Sequence, residues 1–272
     1  MSKYKLIAYD MDGTLLNSDK EIAEDSIEAI HRAVTAGKYV TLSTGRPVPE
    51  IAPYDNALSE VPFYICSSGA TILDRRNGKT VFSKALEKDI IREIFAISKD
   101  YDLMLHHLSD KSYLEQFHFD HIEDYHMERY RTLYESYAVK VESLQQFFEA
   151  NQYPVYKFNL YLKHSEERES ICKRLSELPI TVSMAETSAV ECSPLGISKG
   201  SALRRLCQYL GIDLEQTIAV GDSDNDLDIL RSAGLGAAMG NCNDRVRDVA
   251  DVVLRDCDHG GCVQAVDEYL LK

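Results

Sequence analysis

The chain has 272 residues, enough for one large domain or two modest ones with a core that needs no staples. Apolar residues make up 44% and charged residues 27%, the balance of an ordinary globular protein. The formal net charge of −14 argues against a general binder of nucleic acid or of an anionic membrane, which needs a basic footprint, but leaves room for a locally positive site that takes a small anion.

No run of 18 apolar residues occurs, so no transmembrane helix is expected. The opening MSKYKLIAYD has no long apolar run before its first acid, so no signal peptide is expected. Seven cysteines stand at 66, 172, 192, 207, 242, 257 and 262, odd in number and without C-x-x-C. They read as reduced thiols of a cytoplasmic protein.

Lys5 to Tyr9 (KLIAY) is strand-like and ends in Asp10-Met11-Asp12-Gly13-Thr14. Glu21 to Ala36 repeats apolar residues at helical spacing, with Gly37 as its stop. Tyr39 to Leu42 and Phe63 to Cys66 are further strands, and Asn77-Gly78 between two apolar runs signals a hairpin. The last third repeats the alternation: helix over Ser198 to Leu210 with Gly211 after it, strand over Thr217 to Val220, helix over Leu227 to Ala233, and strand over Leu235 to Met239. Helix, strand and helix follow over Val246 to Ala250, Val252 to Leu254 and Cys262 to Leu271. Such alternation predicts an α/β fold, a mainly parallel sheet covered by helices.

The middle is richer in Tyr and His, with Tyr156 to Leu162 as a strand among helical stretches. It reads as an inserted α+β domain. The expected organisation is a discontinuous core, 1–85 and 188–272, with a cap at 86–187. Six of the eight histidines fall in the cap, five of them close together: His106, His107, His118, His121 and His126. They read as a polar cap surface, or as partial lining of a substrate pocket. His118 and His121 could share a helix face and bind metal, but no thiol or motif supports that.

Four stretches carry chemistry: Asp10-Met11-Asp12-Gly13-Thr14, Ser43-Thr44-Gly45-Arg46-Pro47, Ile197-Ser198-Lys199-Gly200 and Gly221-Asp222-Ser223-Asp224-Asn225-Asp226. Three follow predicted strands and one opens a predicted helix. In open parallel sheets, ligands bind outside the carboxyl ends of the strands, so all four can converge on one edge. Asp10, Asp12 and Asp222 offer hard oxygen ligands suited to Mg²⁺. Thr44 offers a hydroxyl, Gly45 close backbone approach, Lys199 a positive charge and Asn225 an amide donor. Together they suit a phosphoryl group, where catalysis is mostly positioning and charge neutralisation. Two neighbouring carboxylates repel and resist desolvation, and a divalent cation reverses that cost. One of the two can attack phosphorus, and the other can protonate the leaving oxygen and then activate water. GDSDND lacks the distal glutamate of a calcium loop, and Gly234-Leu235-Gly236 lacks the third glycine of a dinucleotide fingerprint.

In content, order and spacing these motifs resemble the haloacid dehalogenase (HAD) superfamily, specifically its Cof-like sugar-phosphate phosphatases with a large α/β cap. The resemblance implies a Rossmann-like core, a Mg²⁺ cofactor and a small phosphorylated metabolite as substrate. It implies that Asp10 is nucleophile and metal ligand, and that Asp12 is general acid/base, touching the metal through its backbone carbonyl. Lys199 then neutralises nucleophile and phosphate, and Asp222 completes the metal shell. Thr44, Gly45 and Asn225 hold the phosphate, Asp226 supports the metal or Lys199, and Arg46 braces its loop and faces substrate. Met11, between the two acids, is counted with the substrate-binding residues. One departure stands out. Ser67-Ser68-Gly69-Ala70 replaces the family's frequent Asn-Gly-Ala, and serine has shorter reach and one donor fewer. A phosphomutase, a signalling receiver domain and a non-catalytic binding relative are the competing readings. The retained Asp10 and Asp12 argue against the last, and the length and insertion against the receiver.

Overall fold

The computed structural model describes residues 2–185 and 188–272, so the expected cap boundary at Thr187 lies outside the described residues. They fall into two compact units: Met1–Gly45, Pro53–Ser83 and Ser198–Lys272 form the first, and Arg46–Ala52 with Lys84–Ile197 the second.

The strands of the first unit are β1 (Leu6–Tyr9), β2 (Tyr39–Ser43), β3 (Phe63–Cys66), β4 (Thr71–Asp74) and β5 (Lys79–Ser83). Those of the second are β6 (Leu103–Leu108), β7 (Ser112–Glu115), β8 (Ala138–Val141), β9 (Lys157–Leu162), β10 (Ile180–Ala185) and β11 (Ala189–Pro194). The first unit ends with β12 (Thr217–Gly221), β13 (Leu235–Ala238) and β14 (Val252–Val253).

Among the described residues the first unit holds an eight-stranded sheet in the order β14-β13-β12-β1-β2-β3-β4-β5. Pairing is parallel from β14 through β3 and antiparallel across β3, β4 and β5. The chain runs outward from β1 through β2 and β3, then returns to the other side of β1 as β12. The order therefore reverses between β1 and β12, the switch point at which doubly wound sheets place their ligands.

Strand β1 is buried on both faces, as a central parallel strand must be. Leu6 and Ala8 pack in a cluster with Ala202, Leu203 and Leu206 of the helix Lys199–Leu210 and Ile229 and Leu230 of the helix Leu227–Ser232. Tyr9 points the other way, its hydroxyl donating to the Cys262 carbonyl. The two-residue alternation then carries Asp10 to the Leu6–Ala8 face, where the helix bearing Lys199 begins.

The sequence places the elements well and some of their ends poorly. The first helix spans Glu24–Thr35 rather than starting at Glu21, because Ile22 bridges Leu16 and Ala23 stays extended. The hairpin has four loop residues between Asp74 and Lys79. The buried Asp74 carboxylate organises it, accepting from the Arg76 backbone N–H and guanidinium. The expected helix over Cys262 to Leu271 is an α-turn at Gly261–Ala265 that widens into a π-helical turn at Val266–Leu270.

The second unit holds, among the described residues, a six-stranded sheet in the order β10-β11-β9-β6-β7-β8, antiparallel except between β7 and β8. One face carries Leu103, Leu105, Phe158, Leu160, Val190 and Cys192 into an apolar core with Ile91, Ile94, Phe148 and Ile171. The alternate positions carry polar groups. Lys157 Nζ lies 2.7 Å from Glu191 Oε1, both buried, and His106 Nε2 lies 3.2 Å from Glu50 Oε1. The His106 partner holds the buried Glu50 carboxyl below its usual range against the upward push of burial. This charged layer was not legible in the sequence, where Lys157 reads as part of a strand and Glu191 falls in no expected element.

Candidate active site

Asp10 continues β1 by one residue, its N–H donating to the Val220 carbonyl at 3.0 Å. Its carboxylate is nearly fully buried. Lys199 is the first residue of the helix Lys199–Leu210, fixed by a Ser198–Ser201 capping box in which Ser201 N donates to Ser198 Oγ and Ser198 N to Ser201 Oγ. Lys199 Nζ donates to Asp10 Oδ1 at 2.6 Å and to Asp226 Oδ1 at 2.7 Å, and lies 3.4 Å from Asn225 Oδ1. Asp226 is fully buried because its other oxygen accepts the backbone N–H groups of Asp222 and Ser223, closing the loop after β12. Asp222 follows β12 directly. It accepts from the Thr14 hydroxyl at 2.8 Å and from the Ser223 hydroxyl at 3.0 Å.

Asp10, Asp222 and Asp226 each turn an oxygen into one cluster, these atoms lying within 4.8 Å of one another. Three acids face one ammonium there. Burial pushes the Asp10 carboxyl well up, the nearby Asp226 charge adds to that, and Lys199 opposes it. Burial and Asp226 likewise push Asp222 up to about 6, against its two hydroxyl donors. Burial would lower the Lys199 ammonium, but the Asp10 and Asp226 charges outweigh it and hold it protonated. The donor set is all oxygen, buried and short of positive charge, so it fits a hard divalent cation such as Mg²⁺.

Gly13 gives this arrangement its room. Its φ is +79°, and a Cβ there would lie 2.6 Å from Asp222 Oδ2. Asn241 fastens the same turn, its amide donating to the Gly13 carbonyl at 2.8 Å.

Thr44 and Gly45 follow β2, the neighbour of β1, and so reach the same edge of the sheet. Thr44 is buried; its N–H donates to Ile65 O at 2.9 Å and its carbonyl accepts Ser68 N–H at 3.0 Å. The Ser67-Ser68-Gly69 turn that replaces the expected asparagine is left-handed at three consecutive residues, with φ 49°, 54° and 101°. Two of them are serines, so the turn is strained.

The remaining residues named from the sequence lie as follows. Asp12 is beyond the strand, partly exposed, its Oδ1 2.8 Å from Lys20 Nζ. Met11 is fully buried, with its carbonyl accepting from Thr14 and Leu16. Arg46 packs in the second unit, donating to the Glu50 carbonyl at 3.3 Å with its guanidinium over the Tyr130 ring. Asp10, Lys199, Asp222, Asn225 and Asp226 are thus brought together within the first unit. Sequence reasoning assigned no part to Thr14, Ser223, Lys20 or Asn241. The first two were visible as hydroxyls beside named acids, whereas Asn241 had no local signal.

A doubly wound sheet with acids and a buried lysine at its switch point defines a Rossmann-like α/β enzyme core. The family model of the haloacid dehalogenase-like hydrolases matches residues 7–266, and the chain belongs to that family. It is similar to the putative phosphatase YxeH of Bacillus subtilis, 30% identical over 98% of this chain and 99% of that protein. It is also 30% identical to the 5-amino-6-(5-phospho-D-ribitylamino)uracil phosphatase YcsE of the same organism, over 98% of this chain and 96% of that one. Among solved structures, a haloacid dehalogenase-like hydrolase from B. subtilis superposes with a TM-score of 0.85 at 29% identity, covering 98% of this chain and all of the other.

Proposed function

We propose that the chain is a phosphatase that hydrolyses small phosphorylated metabolites, sugar phosphates in particular, through an aspartyl-phosphate on Asp10. The observation that carries this reading is the setting of Asp10: a buried carboxylate at the switch point, 2.6 Å from the Lys199 ammonium and clustered with Asp222 and Asp226. The activity for which YcsE is named, on a phosphorylated ribityl compound, supports the substrate class. A reducing, cytoplasmic setting belongs to the same reading, supported by seven cysteines that stand as free thiols.

An Asp10 oxygen attacks phosphorus, and the bond from phosphorus to the leaving oxygen breaks. The electron pair stays on that oxygen, which takes a proton from Asp12. Water then attacks the phosphorus and gives its proton to Asp12, and cleavage of the bond to Asp10 restores the carboxylate. Lys199 neutralises charge on Asp10 and on the phosphate, whose oxygens Thr44, the Gly45 N–H and Asn225 hold. The side chains of Asp10, Asp222 and Asp226, with the Asp12 carbonyl, would hold Mg²⁺, which when bound offsets negative charge on the transferring group.

Phosphate release from a panel of phosphorylated sugars, nucleotides and small cofactors, with and without Mg²⁺, tests the reading. Mg²⁺-dependent release from several sugar phosphates is expected, together with a folded but inactive Asp10→Asn variant. Turnover by that variant at the wild-type rate removes the nucleophile assignment. Full activity after EDTA removes the metal. Isomer formation without phosphate release makes the chain a mutase.

A further inference from the structure

Residues 10–22 form a tight excursion from the sheet. Leu15 and Leu16 donate back to the carbonyls of Asp10 and Met11 at 3.2 and 2.8 Å. Leu16 bridges both Asp12 and Ile22. The turn at the far end is built on Asn17, whose side-chain oxygen accepts from Asp19 N and Glu21 N at 3.0 and 2.8 Å. Its carbonyl accepts Lys20 N at 3.0 Å. Lys20 itself is left-handed, with φ 62°, and the Tyr54 hydroxyl donates to its carbonyl at 3.1 Å. A lysine rarely takes that conformation, and here the surrounding bonds impose it. The effect is to turn the side chain back over the excursion, so that Nζ lies 2.8 Å from Asp12 Oδ1.

Neither term explains the arrangement as a stability device. A partly exposed ion pair contributes little, and a left-handed lysine is strained. Its consequence is geometric. Asp12 lies past the end of β1 with its backbone bridged to Leu16, and Lys20 holds one of its two carboxylate oxygens in place.

We propose that Lys20 is a positioning residue that aims the Asp12 carboxyl at the leaving oxygen. The inference rests on the reading of Asp12 as proton donor. It has a signature that a purely structural role lacks. A proton is needed where the leaving group is an alkoxide and hardly at all where it is a stabilised phenolate. Misplacing the donor therefore slows alkyl phosphates more than activated aryl phosphates. The aspartyl-phosphate is common to both, so the contrast appears in kcat/KM, which reports steps up to departure of the leaving group.

The experiment compares kcat/KM for glycerol phosphate and p-nitrophenyl phosphate in wild type, Lys20→Met, Lys20→Gly and Lys20→Arg, with melting temperatures. In Lys20→Met the alkyl-to-aryl ratio is expected to fall by about tenfold or more, part of the contribution a placed general acid makes. Lys20→Gly loses the same side chain while easing the left-handed backbone, so it should show the same fall without a lower melting temperature. Lys20→Arg keeps a cation and should restore the ratio to within about threefold of wild type. Equal losses on both substrates, or no loss on the alkyl ester, overturn the proposal while leaving the phosphatase reading intact. A wild type inactive on every phosphate ester overturns the phosphatase reading and this inference with it.

Discussion

Lys199 Nζ sits 2.6 Å from Asp10 Oδ1 although 189 residues separate the two in the chain. The lysine side chain is fully buried and bridges Asp10 to Asp226. Its charge is the one cation bonded within the acid cluster among the described residues. Lys199→Met should therefore lower kcat/KM by about 10² to 10³, the usual cost of removing one preorganised electrostatic donor. Lys199→Arg should not rescue it, because a planar fork does not fit where a compact ammonium is enclosed by Asp10, Asn225 and Asp226. Steady-state kinetics on the best substrate of the panel checks both. Near-wild-type activity in Lys199→Met would remove the lysine from the chemistry.

How much of this was legible in the sequence follows from where the information is local. The apolar run ending in Asp10 and the strand before Asp222 are patterns of a few residues, and alternation with helices ordered them into a parallel sheet. The meeting of Lys199 with Asp10 was legible only through the topology, since strands return beside β1 at the switch point. What the sequence concealed depends on contacts that local patterns do not encode. Asn241 reaches the Gly13 carbonyl from beyond β13. Lys157 and Glu191 meet because β9 and β11 pair in one register. The late start of the first helix has the same origin, since helical spacing from Glu21 gave no sign that Ile22 would bridge Leu16.

The raised carboxyl of Asp222 makes the metal-free protein pH-sensitive in a predictable direction. A carboxyl near 3.8 when unfolded and about 6 when folded leaves the folded state with more bound protons between those values. Stability from this group therefore falls as pH rises through that window, and the burial penalty is present in full above it. Buried His107 and the lowered His118 pull the opposite way below their ordinary value, so the wild-type curve alone is not diagnostic. The difference between Asp222→Asn and wild type isolates the group. Without metal, the variant should be more stable at pH 7.5 by on the order of 2 kcal/mol, allowing for partial exposure, and the gain should vanish by about pH 4. Mg²⁺ should raise the melting temperature of wild type more than that of the variant. A gain independent of pH would show that the carboxyl is not raised.

Gly13 and Gly37 separate two costs that a glycine can hide. Both are left-handed, with φ 79° and 73°. A Cβ at Gly37 would meet nothing within 4 Å, whereas one at Gly13 would lie 2.6 Å from Asp222 Oδ2. Gly37→Ala should therefore show only the backbone term, about 1–2 kcal/mol of lost stability, with kcat/KM unchanged. Gly13→Ala carries the same term and also displaces Asp222 from the acid cluster. A shift of that size near reacting groups costs about 10²-fold in rate, so its kcat/KM should fall by that order while Mg²⁺ no longer stabilises it as well as wild type. Denaturant titration, with kinetics and thermal melts across Mg²⁺ concentration, reads all three quantities. If the two variants lose stability equally and both keep full activity, the close approach of Gly13 to Asp222 has no bearing on the site.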